Sequence, residues 1–305
     1  MRVLVTGGAG FLGRVVVEQL KATGYEAFVP RGREYDLRTP LGVARVLADS
    51  TPDIVVHLAA AVGGIGANQT HPGRFLYENV VMGAELMEQS RLAGVHKFVS
   101  VGTACSYPEY APLPLREDTL WDGYPAAVTA PYGLAKRLLL AQGQAYRAEY
   151  GFNVIHLIPT NLYGPRDNFD LETSHVVPGL IRKFSEATRD GSPEVHCWGT
   201  GLATREFLYV DDAARAIVWA TERYDEPEPV NIGTGVEVTI FELVGMIAGL
   251  YGYRGDTVWD SARPDGAPRR LLDVSRAETA FGFRAEVSLD EGLRRTVEWY
   301  EANAT

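Results

Sequence analysis

Tyr132 and Lys136 stand four residues apart, so on a helix they share one face, a turn from each other. An ammonium beside a phenol lowers the phenol's pKa and can also bind ribose hydroxyls, which equips the pair to move a proton at an oxygen. Thr103 lies earlier, just past an apolar run ending at Val101, where its hydroxyl can hydrogen-bond the Tyr132 oxygen or a substrate carbonyl. A Tyr and a Lys at this spacing usually mark only an exposed helix face. With the hydroxyl added, the three predict proton and hydride transfer at a carbonyl.

A hydride needs a carrier, and the start of the chain offers a cradle for one. Thr6-Gly7-Gly8-Ala9-Gly10-Phe11-Leu12-Gly13 follows the strand-like Val3 to Val5 and precedes a helical pattern. Gly7 permits a tight turn, Gly10 lets the backbone approach a pyrophosphate, and Gly13 lets helix and strand pack closely; Phe11 and Leu12 open the helix whose N-terminus faces the phosphates. The tip of the second strand chooses between the two nicotinamide dinucleotides, because an acid there binds a ribose 2′-hydroxyl and an arginine accepts a 2′-phosphate. It reads Val29-Pro30-Arg31-Gly32-Arg33, so Arg31 and Arg33 favour NADP, with NAD the alternative. Asp36 and Leu37 can flank the adenine, and Leu58-Ala59-Ala60 ends the third strand where the cofactor would pass.

These groups need a frame. Short apolar strands (Val3 to Val5, Ala27 to Val29, Ile54 to His57, Phe98 to Val101, Val154 to Ile158) alternate with helical patterns (Phe11 to Ala22, Pro40 to Ala48, Arg74 to Leu92, Tyr132 to Tyr150), the mark of βαβ units in a parallel sheet. The expected fold is α/β, a Rossmann-type doubly wound parallel sheet with a smaller, interleaved α/β substrate lobe. After Pro159 the chain becomes rich in Pro, Gly and aromatic residues, and it is expected to return to the first lobe around Phe207 to Asn231. Residues 1–162 and 204–234 are thus expected to form the dinucleotide-binding domain, and 163–203 and 235–305 the substrate lobe.

With 29 Lys and Arg against 39 Asp and Glu the formal charge is −10, which argues against nucleic acid or an anionic membrane surface as partner. No apolar run approaches the roughly 20 residues of a membrane span, no signal peptide is expected ahead of the strand-like Arg2 to Thr6, and Cys105 and Cys197 cannot build a disulfide framework. A reduced, cytoplasmic protein is expected. His57, His71, His96, His156 and His196 show no metal-ligand spacing, so no metal site is expected.

Longer motifs run almost the length of the chain: His57-Leu-Ala-Ala-Ala-Val-Gly-Gly-Ile65 with Asn68, Ala104-Cys-Ser-Tyr-Pro108, Pro159-Thr-Asn-Leu-Tyr-Gly-Pro165, Asp167-Asn-Phe169, Ser174-His-Val176, Arg205-Glu-Phe-Leu-Tyr-Val-Asp-Asp212 and Pro264-Asp-Gly266. With the Gly-rich turn, the hydroxyl and the Tyr-x-x-x-Lys pair in order, the sequence resembles the extended short-chain dehydrogenases/reductases. More narrowly it is similar to the GDP-L-fucose synthases, which are GDP-4-keto-6-deoxy-D-mannose 3,5-epimerase-4-reductases. The resemblance implies Tyr132 as general acid at O4, Lys136 as its pKa partner and ribose ligand, and Thr103 as the hydroxyl polarising the carbonyl. It implies Cys105 and His175 as the epimerisation pair, exchanging the acidic protons beside the ketone at C3 and C5. It extends the cofactor-binding set to Pro159, Asn161, Leu162 and His175, and for the nucleotide diphosphate it implies Asn161, Val176, Leu180, Lys183, Trp198, Arg205 and Arg270. It also implies a homodimer, with the helices Arg74 to Leu92 and Tyr132 to Tyr150 as interface elements. The chain departs from the family pattern at Thr103, commonly Ser, at Ala104, a second Ser, and at Ala9 and Lys183, where members carry arginine.

The expected function is therefore an NADP-dependent nucleotide-sugar 3,5-epimerase/4-reductase acting on a GDP-4-keto-6-deoxy-hexose. The alternatives are epimerisation without net reduction, 4-keto reduction without epimerisation on another nucleotide sugar, and, outside catalysis, a dinucleotide-sensing binding module. Read from the residues alone, a cysteine such as Cys105 is more often a small buried hydrophobe, a histidine such as His175 more often a structural residue, and Trp198 more often packing, while Arg205 equally suits a partner of Asp211 or Asp212.

Overall fold

The computed structural model describes residues 1–263 and 266–304, so Pro264 and Asp265 of the Pro264-Asp-Gly266 motif lie outside the described residues. Strands β1 (Arg2–Thr6), β2 (Glu26–Phe28), β3 (Ile54–His57), β4 (Lys97–Val101), β5 (Asn153–Pro159) and β9 (Val230–Ile232) form one parallel sheet in the order β2-β1-β3-β4-β5-β9. β3 and β4 are buried along their whole lengths, as strands covered on both faces must be. The pleat sends alternate side chains to opposite layers. Val3 and Val5 join Val16 and Leu20 of α1 (Phe11–Ala22), Ile217 of α7 (Val210–Arg223) and Phe281 of α9 (Ser275–Phe281) on one face. Leu4 meets Val43 and Val46 of α2 (Pro40–Ser50), Leu86 and Met87 of α4 (Pro72–Leu92) and Leu139 of α5 (Ala130–Tyr150) on the other.

α4 and α5 each begin two residues before the start read from periodicity, at Pro72 and Ala130. A proline in a first turn has the right φ and lacks only an N–H that would have no acceptor there. The strand order reverses at β1, flanked by β2 and β3, and open α/β sheets bind ligands in the crevice beyond such a point.

The remaining elements were not individually legible. A short α3 (Ile65–Thr70) lies in the loop after β3. β6 (Asn161–Tyr163), β8 (Thr204–Tyr209) and β10 (Glu237–Thr239) form a small sheet in the order β10-β8-β6, and β7 (Glu194–Trp198) pairs with β11 (Asp256–Asp260). α6 (Val176–Asp190), α8 (Ile240–Leu250) and α10 (Leu289–Asn303) close a second core around Ile181, Phe184, Leu243, Ile247 and Leu293. Among the described residues no helix is long and apolar enough to cross a membrane, and no group of three or more His, Cys, Asp or Glu is arranged to hold a metal ion.

Candidate active site

A cavity of about 1580 Å³ runs from the Gly-rich turn after β1, past the ends of β3, β4 and β5, to α6, β7 and β8. Pockets that hold one small ligand span roughly 300–1,000 Å³, so this larger cavity admits a dinucleotide and a second substrate together.

At the β1 end the backbone itself leaves room for an anion. Gly7 has φ of 72° and passes so close to β3 that an added Cβ would lie 2.7 Å from the Ala59 nitrogen; a Cβ on Gly13 would overlap the Gly7 carbonyl. Gly10, the N-cap of α1, provides no side-chain acceptor, so the N–H groups of Phe11, Leu12 and Gly13 stay available beside the cavity. Thr6 ties the turn to β3: its Oγ1 is 2.8 Å from His57 Nδ1 and accepts from the Ala59 N–H at 3.3 Å. These features fit a pyrophosphate.

Arg31 lines the cavity, and so do Asp36, Leu37, Leu58, Ala59 and Ala60. Arg33, expected beside Arg31, does not. The N–H groups of Glu34 and Tyr35 both donate to the Arg31 carbonyl, and this tight turn puts Arg33 outside, where it is 84% exposed and pairs with Glu34. Asp36 is gripped by Arg38 through Nε at 2.8 Å and Nη2 at 2.9 Å, which holds its carboxyl below the usual range. Arg38 and Arg74 both reach Glu78 at 3.2 Å. Arg38, Arg74 and Glu78 line the cavity and were missed from sequence, because no local motif joins the loop after β2 to a face of α4.

The chemical groups stand where β4 ends. Thr103 caps a 3₁₀ turn over Ala104–Ser106, its Oγ1 accepting from the Cys105 N–H at 3.2 Å, which leaves the hydroxyl proton free to be donated. Tyr132 and Lys136 of α5 line the same cavity, with Lys136 Nζ 6.0 Å from the centre of the Tyr132 ring. Lys136 is 2% exposed, and burial pulls its pKa down to about 8. The phenol departs from expectation: burial, then the nearby Cys105, push its pKa above the ordinary tyrosine value. The pair in this structure is thus governed by desolvation more than by mutual attraction.

Two buried histidines complete this region. His57, and His156 with its Nδ1 3.1 Å from Ser100 Oγ, both fall to about 3 through burial and the Lys136 charge, so both are neutral near pH 7. Cys105 is half-buried beside Tyr132. His175 is the N-cap of α6 and borders the cavity; the residue is exposed at the cavity mouth, but protein crowded around its ring lowers its pKa, favouring the neutral imidazole that can take up a proton.

Toward the second lobe the cavity is lined by Pro159, Asn161 and Leu162, by Val176, Leu180 and Lys183 of α6, and by Trp198, Arg205 and Arg270. Lys183 Nζ donates to the His196 carbonyl at 2.7 Å, and Arg270 Nη1 to the Ala104 carbonyl at 3.1 Å. Trp198 is 53% exposed, with the Arg263 guanidinium 4.8 Å above its ring. Arg205 Nη1 donates to the Thr204 carbonyl at 2.7 Å, while Asp212 is taken by Arg215 at 2.7 Å and by the N–H groups of Glu286 and Val287. The fully buried Glu206, next to Arg205, accepts from the N–H groups of Thr234, Gly235 and Leu272, fixing β8 to the segment that bears Arg270. Cys197 packs in the second core, where burial raises its thiol pKa.

The model of the NAD dependent epimerase/dehydratase family matches residues 3–233. A GDP-L-fucose synthase of Sinorhizobium fredii is 40% identical over 302 residues, covering 99% of this chain and 96% of that protein. Among solved structures, a GDP-6-OMe-4-keto-L-xylo-heptose reductase from C. jejuni superposes with a TM-score of 0.93 at 28% identity, covering 99% of this chain and 97% of that one. A GDP-L-fucose synthetase from Naegleria fowleri bound to NADP gives 0.90 at 28% identity, covering 99% and 94%.

Proposed function

The chain belongs to the NAD dependent epimerase/dehydratase family and is an NAD(P)-dependent epimerase/reductase, and we propose that it works with NADP as a 3,5-epimerase and 4-reductase of a GDP-4-keto-6-deoxy-hexose. The observation that carries this reading is the convergence of Thr103, Cys105, Tyr132, Lys136 and His175 on one cavity large enough for two ligands.

The free N–H groups at the start of α1 would hold the pyrophosphate, Arg31 the 2′-phosphate, and Lys136 the nicotinamide ribose. When bound, the reduced nicotinamide supplies a hydride to C4 of the sugar. Tyr132, with its pKa held high, keeps its proton and delivers it to O4. For epimerisation the ketone makes the C3 and C5 protons acidic. Cys105 and His175 would act as the base that removes each proton and the acid that returns one on the other face, while Thr103 and Tyr132 donate hydrogen bonds to the enolate oxygen at C4. Lys183, Arg205 and Arg270 would neutralise the diphosphate, with Trp198 against the base or sugar.

On this reading residues 1–162 and 204–234 bind the dinucleotide, and 163–203 and 235–305 the nucleotide sugar. A homodimer would use α4 and α5, which carry the exposed Leu76, Tyr77, Leu138 and Tyr150; a monomer in light scattering rejects that part.

The test is to mix the protein with GDP-4-keto-6-deoxy-mannose in D2O, with and without NADPH. Deuterium at C3 and C5 without NADPH, followed by NADPH oxidation to a fucose-configured product, is the expected result. Oxidation without deuteration reduces the activity to 4-keto reduction, and the absence of both events rejects the GDP-hexose substrate.

A further inference from the structure

We propose that Arg137 is a positioning residue: it locks the turn carrying Cys105 onto the helix carrying Tyr132 and Lys136, and so keeps the proton-exchanging thiol in register with the groups that bind the carbonyl oxygen. The proposal rests on the functional reading above and concerns a residue that reading does not use.

α5 presents two neighbouring stripes. Tyr132 and Lys136, four apart, line the cavity, whereas Gly133 and Arg137, also four apart and shifted by one residue, meet the Ala104–Ser106 turn. At Gly133 the backbones nearly touch: an added Cβ would lie 2.5 Å from the Cys105 carbonyl oxygen and 3.0 Å from its carbon. Ser106 Oγ donates to the Gly133 carbonyl at 3.1 Å. Arg137 completes the attachment, with Nε donating to the Ser106 carbonyl at 2.5 Å and Nη1 to the Gly123 carbonyl at 2.9 Å, and its guanidinium 5.7 Å from the centre of the Trp121 ring.

The charge makes this an unusual structural choice. Arg137 is 6% exposed, forms no ion pair among the described residues, and leaves Nη2 buried without a partner; burial opposes its protonation. An unpaired buried cation is costly, and an apolar side chain of similar length would fill the space without that cost. What an apolar chain or a lysine cannot reproduce is the planar fork, which fixes two carbonyls from two segments at a set spacing. One of those carbonyls belongs to the residue after Cys105. Displacements near 1 Å cost on the order of 100-fold in rate, so a loosened turn should damage the step that needs the thiol before the step that needs only Tyr132.

The experiment compares the full-length protein with Arg137→Lys and Arg137→Met in three measurements. The first is deuterium incorporation at C3 and C5 of GDP-4-keto-6-deoxy-mannose without NADPH. The second is single-turnover hydride transfer from GDP-L-fucose to NADP, which bypasses epimerisation. The third is the rate of iodoacetamide alkylation of Cys105, followed by mass spectrometry. Arg137→Met should lower deuterium incorporation roughly 10- to 100-fold while hydride transfer stays within about threefold, and Cys105 should alkylate severalfold faster. Arg137→Lys, able to reach one carbonyl, should fall between. A parallel loss of both reactions, or an unchanged alkylation rate in a folded variant, overturns the proposal; if the Met variant does not fold, the Lys variant decides. Wild-type protein that exchanges no deuterium would reject the epimerase part of that reading instead, and the alkylation rates would still judge Arg137.

Discussion

The end of the cavity at β4 and α5 and the end at α6 and β8 are built on opposite principles. At this end Lys136, His57 and His156 are buried, the histidines are neutral, and the half-buried Thr103, Cys105 and Tyr132 sit on backbone pinned by the Ser106–Gly133 bond and by the close approach of Gly133 to Cys105. Around Trp198 the site is half open to water, and its cations lean on carbonyls: Lys183 on His196, Arg205 on Thr204, Arg270 on Ala104. A desolvated, fixed end can tune proton affinities by whole pKa units, whereas an exposed end contributes screened charge and adaptable contacts. Changes at the first should therefore appear in rate, and changes at the second in affinity.

The largest expected effect lies at the buried end. Tyr132→Phe should cut single-turnover hydride transfer by roughly 1,000-fold while NADPH affinity changes by less than about twofold, because one proton donor is lost and little shape. An undiminished rate would break the contrast and the assignment of Tyr132 together. Cys105→Ala should lower deuterium incorporation at C3 or C5 by on the order of 100-fold and leave hydride transfer from GDP-L-fucose intact. At the open end, Arg205→Ala should raise KM for the nucleotide sugar about 10- to 100-fold with kcat nearly unchanged, the signature of lost uniform binding. A kcat loss as large as the KM rise would show that the two ends are not separable.

Lys136 sharpens the same comparison through stability. Its pKa of about 8 in the folded protein lies below the ordinary 10.5, so between those values the folded state binds fewer protons than the unfolded one and stability rises with pH. Below pH 8 the buried ammonium costs about 3 kcal/mol by this linkage. Lys136→Met should accordingly stabilise the cofactor-free protein by about 1–3 kcal/mol at pH 7 and flatten the rise between pH 8 and 10, while hydride transfer is lost. Denaturant melts across that pH range would record it; a destabilised variant would mean that the lysine's packing outweighs its charge.

What was legible from the sequence follows the same division. The Gly-rich turn, Thr103 and the Tyr132/Lys136 pair are local patterns, and local spacing on a strand, turn or helix fixes their geometry. Desolvation is not local, which is why the ammonium was expected to lower the Tyr132 pKa and burial in fact raises it. The β7–β11 pair and the Arg38–Glu78 and Arg74–Glu78 contacts join distant segments that no single periodicity connects. Gly133 and Arg137 were visible as residues, but their role emerges only when the Cys105 turn is seen packed against them.

The smallest expected effect tests the one cofactor residue that the fold moves away from the cavity. Arg31 and Arg33 are two positions apart and chemically alike, yet the turn that ends with both Glu34 and Tyr35 bonded to the Arg31 carbonyl leaves only Arg31 on the cavity wall. An exposed arginine meeting a phosphate is worth roughly 1 kcal/mol, so Arg31→Ala should weaken NADPH binding about fivefold while NADH, lacking the 2′-phosphate, is unaffected. Arg33→Ala should change neither Kd by more than about twofold, since its guanidinium is solvated and already beside Glu34. Titrating both reduced dinucleotides by fluorescence against the two variants reads this directly. Equal losses at both positions would mean that the 31–35 turn reorganises around the phosphate, and the dinucleotide end of the cavity would then be more adaptable than its resting geometry implies.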